Sequence, residues 1–193
     1  MPYINYESKE ISFKIVYYGP GMSGKTTNLV FIHKMLSEEV KGEMVTLDTD
    51  EERTLFFDFF PLELGSIGGY RVRFNMYTIP GQIYYEASRR LMLDGADGVV
   101  FVADSNPARF DQNLTSYQMM EDNLRSYGLD PVKFPSVLQY NKRDLKNAVS
   151  IGSLEKALKL NGIPVKEAIA TEGRGVMETI REVSMLVIKR FDL

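Results

Sequence analysis

The run YYGPGMSGKTTNLV, residues 17–30, constrains the fold more than any other part of the chain. Gly19, four further residues, and then Gly24-Lys25-Thr26 have the spacing of a phosphate-binding loop. Glycine has no Cβ, so the chain can turn tightly and bring main-chain N–H groups up to phosphate oxygens. The expected phosphate contacts are therefore Gly19, Gly21, Met22, Ser23, Gly24, Lys25, Thr26 and Thr27. Lys25 would reach the β- and γ-phosphates as a point charge, and the Thr26 hydroxyl would be a ligand of Mg²⁺. The flanks agree with this reading. ISFKIVYY (Ile11 to Tyr18) reads as a buried strand, and TTNLVFIHKML has helical apolar spacing at Leu29, Ile32, Met35 and Leu36. A phosphate held here would sit on a helix N-terminus, where unpaired N–H groups and the helix dipole favour anions.

At 193 residues the chain is long enough to bury one good core and short for two, so a single domain spanning 1–193 is expected. A net charge of −3 and a pI near 5.4 give no electrostatic case for a nucleic-acid partner. The chain has no cysteine, which excludes disulfides and thiolate metal sites. The single histidine, His33, lies inside the first helical stretch and reads as surface or half-buried filler. MPYINYESKE lacks the pattern of a signal peptide, and no apolar run reaches the ~18 residues of a membrane span. Neither an N-terminal Met-Gly nor a C-terminal cysteine is present, so the expectation is a cytoplasmic chain without an intrinsic membrane anchor.

Apolar runs alternate with amphipathic ones along the chain. Strands are expected at Ile11 to Tyr18, Tyr70 to Ile79, Asp97 to Asp104, Phe134 to Asn141 and Ile163 to Ala170. Helices are expected near 26–39, 84–93, 112–127, 151–160 and 175–191. Runs such as GVVFVA are apolar without alternation, as in strands covered on both faces. The pattern predicts an α/β fold, a doubly wound, mostly parallel sheet with helices on both faces. Functional residues should then gather outside the carboxyl ends of the strands.

A phosphate loop alone leaves ATPases, kinases and GTPases open. The fourth expected strand ends in Asn141-Lys142-Arg143-Asp144, which resembles the guanine-specificity motif N-K-x-D of the small GTPases. The Asp144 carboxylate would accept from N1–H and the 2-amino group of guanine, a pair that adenine does not offer, and a buried carboxylate left unpaired rejects the wrong base. Asn141 would bridge the base to the phosphate loop, and the Lys142 stem would cover one face of the ring. Glu167 to Val176, EAIATEGRGV, resembles the E-x-S-A-K region of the same family without its serine and lysine. That likeness puts Ile169, Ala170 and Thr171, with Ala170 central, where the family supplies a backbone N–H to the guanine oxygen.

Two further segments carry the resemblance. Thr54, preceded by Arg53, corresponds to the threonine that binds Mg²⁺ and holds the first switch loop closed on the γ-phosphate. Arg53 would reach the phosphates in cis and offset transition-state charge. In YTIPGQ, Gly81 would donate its N–H to the γ-phosphate and Gln82 would orient the attacking water. Thr78, however, stands where the family has a magnesium-supporting aspartate. Asp48, Asp50 and Asp58 are candidate substitutes, Asp58 the weakest because it follows Phe56-Phe57, which are expected to pack.

GPGMSGKTT, ERT, TIPGQ and NKRD thus run from residue 19 to 144 in the order of a Ras-like, P-loop small GTPase, and their combination resembles the MglA branch of the bacterial members. The resemblance implies a GTP/GDP switch with bound Mg²⁺, hydrolysing GTP slowly with Lys25, Gln82 and Arg53 as catalytic groups. It also implies an activating partner of the roadblock fold, like MglB, motility or polarity effectors, and recruitment to a cell pole. Among Phe56, Phe57, Phe59, Phe60, Tyr84 and Tyr85, most are expected in the core and one or two at a partner surface. The residues by themselves leave room for a P-loop ATPase or kinase, and for a scaffold that holds nucleotide without turnover.

Overall fold

A computed structural model describes residues 2–37, 39–47, 57–79, 86–160 and 162–191. Its sheet has eight strands, β1 (Tyr3–Asn5), β2 (Glu10–Tyr18), β3 (Val45–Leu47), β4 (Phe57–Ile67), β5 (Tyr70–Thr78), β6 (Gly98–Asp104), β7 (Ser136–Asn141) and β8 (Val165–Glu167). The helices among these residues are α1 (Lys25–Met35), α2 (Glu86–Leu93), α3 (Phe110–Ser126), α4 (Ile151–Leu158) and α5 (Val176–Arg190). The strand order is β3-β4-β5-β2-β6-β7-β8, with β1 pairing β2 off that path. β2 pairs parallel to both β5 and β6, and β6-β7 and β7-β8 are also parallel. The chain therefore builds outward in opposite directions from β2, and the crevice over the carboxyl end of β2 is the topological switch point where such sheets bind ligands.

Side-chain alternation along the strands divides the core into two layers. One face carries Phe13, Ile15 and Tyr17 of β2, Phe74 and Met76 of β5, Val100 and Val102 of β6 and Val137 of β7. Leu29 and Ile32 of α1 and Val176, Ile180, Val183 and Val187 of α5 cover it. On the other face lie Val16, Tyr18, Val99, Phe101, Leu138 and Tyr140, covered by Met92 and Leu93 of α2, Tyr117, Met120 and Leu124 of α3 and Leu154 and Leu158 of α4. The doubly wound, mostly parallel expectation is met.

Three strands were not expected. β3 and β4 fill the stretch before Tyr70, and β1 precedes the first expected strand; all three pair antiparallel with their neighbours. β4 hides in the sequence because Pro61 and Gly65 interrupt its apolar run, and its pairing with β5 shifts register between Glu63 and Ser66. Gly68 (φ 57°) and Gly69 (φ 82°) then reverse the chain between Ile67 and Tyr70, since a two-residue hairpin turn of this kind needs two positive φ values. The end of α1 also differs: the helix stops at Met35, Leu36 is extended (φ −88°, ψ 147°), and Met35 stays 59% exposed instead of packing. β8 is confined to Val165–Glu167, shorter than the apolar run suggested. His33 is half-buried as expected, its ring edge-on to Phe60 at 5.3 Å. Among the described residues no helix is long and apolar enough to cross a membrane.

Candidate functional site

The phosphate loop leaves β2 and turns directly into α1. Gly19 (φ 142°) passes so close to β6 that a Cβ there would run into the Val102 carbonyl. Gly24 (φ 100°) caps α1, and a Cβ there would strike the Asn141 amide. The loop closes on itself through Ser23 N–H donating to the Pro20 carbonyl at 3.3 Å. Met22 sits in the left-handed region at φ 63° and is exposed, its sulfur 3.9 Å from an Arg109 guanidinium nitrogen. Lys25 is buried, and its Nζ donates to the carbonyls of Gly19 at 3.0 Å and Pro20 at 2.7 Å. Burial first, and then the positive charge of Arg89, push the Lys25 ammonium down to about 7, with Asp58 opposing them. Arg89 itself is buried on α2, a guanidinium nitrogen 3.8 Å from the Met119 sulfur.

The first residue of the predicted magnesium site, Thr26, lies at the mouth of this loop. Its hydroxyl donates to Asp58 Oδ2 at 2.6 Å. The same oxygen accepts from the Thr78 hydroxyl at 2.9 Å, and the Asp58 backbone N–H donates to Thr78 Oγ1 at 2.8 Å. Asp58, the weakest of the three candidate substitutes, is thus the described acid that reaches Thr26. Its place after Phe56-Phe57 does not by itself turn it away from the site. In β4 alternate residues share a face, so Asp58 and Phe60 turn inward while Phe59 stacks on Tyr77 with ring centroids 4.7 Å apart. Thr78 still takes part in the site, as the hydroxyl that orients the carboxylate. A hydroxyl and a carboxylate converging from two elements, with phosphate oxygens to complete the shell, is the donor chemistry Mg²⁺ takes, so these residues fit the ion.

The base end is built at the carboxyl end of β7. Asn141 is buried, its amide donates to the Ser23 carbonyl at 2.8 Å and its Oδ1 accepts the Ala170 N–H at 2.9 Å. One side chain thereby ties the phosphate loop to the loop after β8. Ile169 N–H is also engaged, with the Arg174 carbonyl at 2.9 Å, which leaves the Thr171 N–H as the donor in this stretch with no protein partner among the described residues. The Ala170 N–H, expected near the guanine oxygen, is bridged to Asn141 in this structure. Lys142 (φ 64°) pairs with the buried Asp104 at 2.7 Å, so its stem is drawn across the end of β6. Asp144 follows on the exposed part of the same loop, and the neighbouring Arg143 is held by Glu167 at 3.0 Å and the Val149 carbonyl at 2.7 Å. Asp104 was missed. A carboxylate ending the apolar run GVVFVAD, at a parallel strand's carboxyl end, was the available signal.

Arg53, Thr54, Gly81 and Gln82 lie outside the described residues, as do Asp48, Asp50, Phe56, Tyr84 and Tyr85. The described geometry brings together Gly19, Gly24, Lys25, Thr26, Asn141, Lys142 and Ala170.

A doubly wound sheet with a phosphate loop at its switch point and an N-K-x-D end on β7, two strands away, defines a P-loop GTPase of the Arf/Ras type. Residues 3–187 match the ADP-ribosylation factor family, and the chain belongs to it. It is 52% identical over 188 residues to the mutual gliding-motility protein MglA of Myxococcus xanthus (strain DK1622), covering 97% of this chain and 96% of that protein, and is an MglA-like small GTPase. It is 24% identical over 192 residues to ADP-ribosylation factor-like protein 4A of Homo sapiens and of Mus musculus, covering 93% of this chain and 85% of each of theirs.

Two outcomes follow from this geometry. Asp58→Asn keeps the shape but removes the charge, so Mg²⁺ should slow GDP release far less in the variant than in the wild type. Fluorescent-GDP dissociation with magnesium and with chelator measures this, and an expected loss of about tenfold in the magnesium effect is the size of one charge-assisted contact. For Lys25 the depressed value means that the unfolded chain binds more protons than the folded one between about 7 and the ordinary 10.5. The stability of nucleotide-stripped protein should therefore rise with pH across that window, and the penalty should be complete below it. Urea unfolding at about pH 6 and about pH 9 should show this rise in wild type and not in Lys25→Met.

Proposed function

We propose that this chain is a guanine-nucleotide switch that binds GTP with Mg²⁺, hydrolyses it to GDP and phosphate, and through its two states controls cell polarity and motility. The observation that carries this reading is the convergence of Thr26 and Asp58, 2.6 Å apart, beside the buried Lys25, on the far side of a phosphate loop that Asn141 fastens to the base end. Both halves of a guanosine triphosphate have a receptor there.

The bound metal would be held by Thr26, with Asp58 in support and Thr54 joining from the first switch, and it would neutralise charge on the β- and γ-phosphate oxygens. The chain's own groups do the rest. The loop amides and Lys25 hold the phosphates and stabilise charge as it moves toward the β-phosphate. Gln82 orients a water for in-line attack on the γ-phosphorus, and Gly81 donates its N–H to that phosphate. Arg53 offsets the charge of the transferring group in cis. Asp144 reads the guanine edge and rejects adenine, while Lys142 covers the ring. Intrinsic turnover is slow, and a roadblock-fold activator accelerates it by completing the switch segments. Effectors of polarity or motility bind the GTP state, and recruitment to a cell pole places a cytoplasmic protein where they act. The likeness to a gliding-motility protein supports this cellular role.

Competition against labelled GTP tests the reading. GDP should displace the label at stoichiometric levels, and ATP should need an excess of about 10³ or more, as expected where an acceptor placed for the guanine edge is left unpaired by the wrong base. Asp144→Asn should shift the preference toward XTP; equal competition by ATP in the wild type would remove the guanine assignment. Gln82→Leu should keep GTP affinity within about twofold and lower activator-stimulated phosphate release by at least about a hundredfold, as for loss of a water-orienting group. Unchanged single-turnover release in that variant would remove Gln82 from its role.

A further inference from the structure

Below Asn141, β7 carries a second amide on the same face, Gln139, fully buried in the layer between the sheet and helices α1 and α5. It forms a reciprocal pair with Asn28 of α1: Gln139 Nε2 donates to Asn28 Oδ1 at 2.9 Å, and Asn28 Nδ2 donates to Gln139 Oε1 at 2.9 Å. The other Asn28 hydrogen goes to the Gly24 carbonyl at 2.9 Å. The other Gln139 hydrogen goes to Thr179 Oγ1 of α5 at 2.9 Å, and the Thr179 hydroxyl donates to the Gly175 carbonyl at 2.6 Å. Asn28, Gln139 and Thr179 are each 0% exposed, and every amide and hydroxyl hydrogen in the set is used once.

The two ends of this chain of bonds are equivalent. Gly24 and Gly175 are the left-handed caps of α1 and α5, at φ 100° and 74°, and neither helix start has a side-chain cap. In both, the side chain four residues on turns back to the glycine carbonyl. Gly24 belongs to the phosphate loop. Gly175 closes the loop that carries Ala170 and Thr171 and is itself pressed against the Glu167 carbonyl. Gln139 therefore clamps two helix starts that flank the two ends of the nucleotide, one level below the Asn141 bridge between the same loops. A hydrophobic trio would fill this space as well and would not need its donors matched, so what the polar trio adds is a fixed relative position.

We propose that Asn28, Gln139 and Thr179 are positioning residues that hold the phosphate loop and the guanine loop in fixed register, so that diphosphate and base are recognised as one ligand. The inference rests on the guanine-nucleotide reading above. Displacing Gly24 at one end strains the bond to Gly175 at the other, because the Gln139 amide has one orientation that serves both. Phosphate occupancy then sharpens discrimination at the base, although none of the three side chains is placed at the nucleotide.

The test compares GDP with IDP, which lacks the 2-amino group, on wild type, on the shape-conserving variant Asn28→Leu/Gln139→Leu/Thr179→Val, and on Thr179→Val and Thr179→Ser. The apolar triple variant leaves no buried donor unmatched within the set, and its unfolding midpoint is measured first. Stopped-flow association and dissociation with each diphosphate should show the GDP-over-IDP preference reduced by about tenfold in the triple variant, the size of coupling between groups sharing one network. Thr179→Val should lose part of that preference and Thr179→Ser should keep it. Equal weakening of GDP and IDP in the triple variant, with the preference intact, would overturn the positioning role, since a purely structural part lowers both alike. Indistinguishable preference in Thr179→Val and Thr179→Ser would do the same where the triple variant does not fold. Wild type that binds neither diphosphate would remove the nucleotide reading and this inference with it.

Discussion

The close passage of the phosphate loop against the ends of β6 and β7 is the constraint on which the rest of the molecule depends. At Gly19 the loop touches the Val102 backbone, and at Gly24 it touches the Asn141 amide, with no room for a Cβ at either point. Because the loop lies there, α1 starts over the sheet with its first amides facing the crevice, and Asn141 reaches the Ser23 carbonyl. Two residues that are not glycine adopt left-handed backbone at the rim, Met22 and Lys142, at a cost of about 1–2 kcal/mol each. Lys142 is held in that state by its ion pair with the buried Asp104. Strain of this kind gathers where the surrounding structure fixes a functional geometry.

The carboxylate beside Thr26 shows how one chemical requirement is met from a different strand. The aspartate that resemblance places at the end of β5 is a threonine here, and the charge comes from the next strand over. What fixes Asp58 is backbone pairing: Thr46 of β3 is its register partner, and Phe59 opposite Tyr77 and Phe60 opposite Met76 set the register of β4 against β5. Successive residues of a strand point to opposite faces, so a slip of one residue would turn Asp58 away from Thr26. The strength of the Thr26 site is therefore tied to the packing of Phe59 and Phe60. Aromatic residues expected mostly in the core thus serve in part to hold a carboxylate in place.

Much of this was legible beforehand, for physical reasons that can be named. Parallel strands buried on both faces give unbroken apolar runs, which is why β2, β6 and β7 could be found, and the glycine spacing and Asn141-Lys142-Arg143-Asp144 marked the two ends of the candidate site. What stayed hidden depends on partners distant in sequence. β4 carries Pro61 and Gly65, and its existence rests on pairing with β5. Asp58 could be weighed only once its face was known. The engagement of the Ala170 N–H by Asn141 is a long-range side-chain contact with no local signature. Asn28 and Gln139 read as ordinary polar residues in a helix and a strand, yet they meet across 111 positions of sequence in the buried layer.

The charges around Lys25 complete the picture. A nearly buried ammonium is costly, and its surroundings make it more so, because Arg89 adds positive charge while Asp58 alone among the named neighbours opposes it. Within a low-dielectric crevice a buried ammonium is relieved by an anion, and burial makes that relief larger than at an exposed site. A divalent cation entering at Thr26 and Asp58 would add to the cost on its own, and it would become favourable when phosphate oxygens arrive with it. On the proposed reading, metal and nucleotide would be bound as a unit by electrostatics, and the Asn141 and Gln139 bridges would extend that unit mechanically to the base. A site arranged this way holds its ligand through the joint closure of several weak contacts, and loosening any one of them weakens the others.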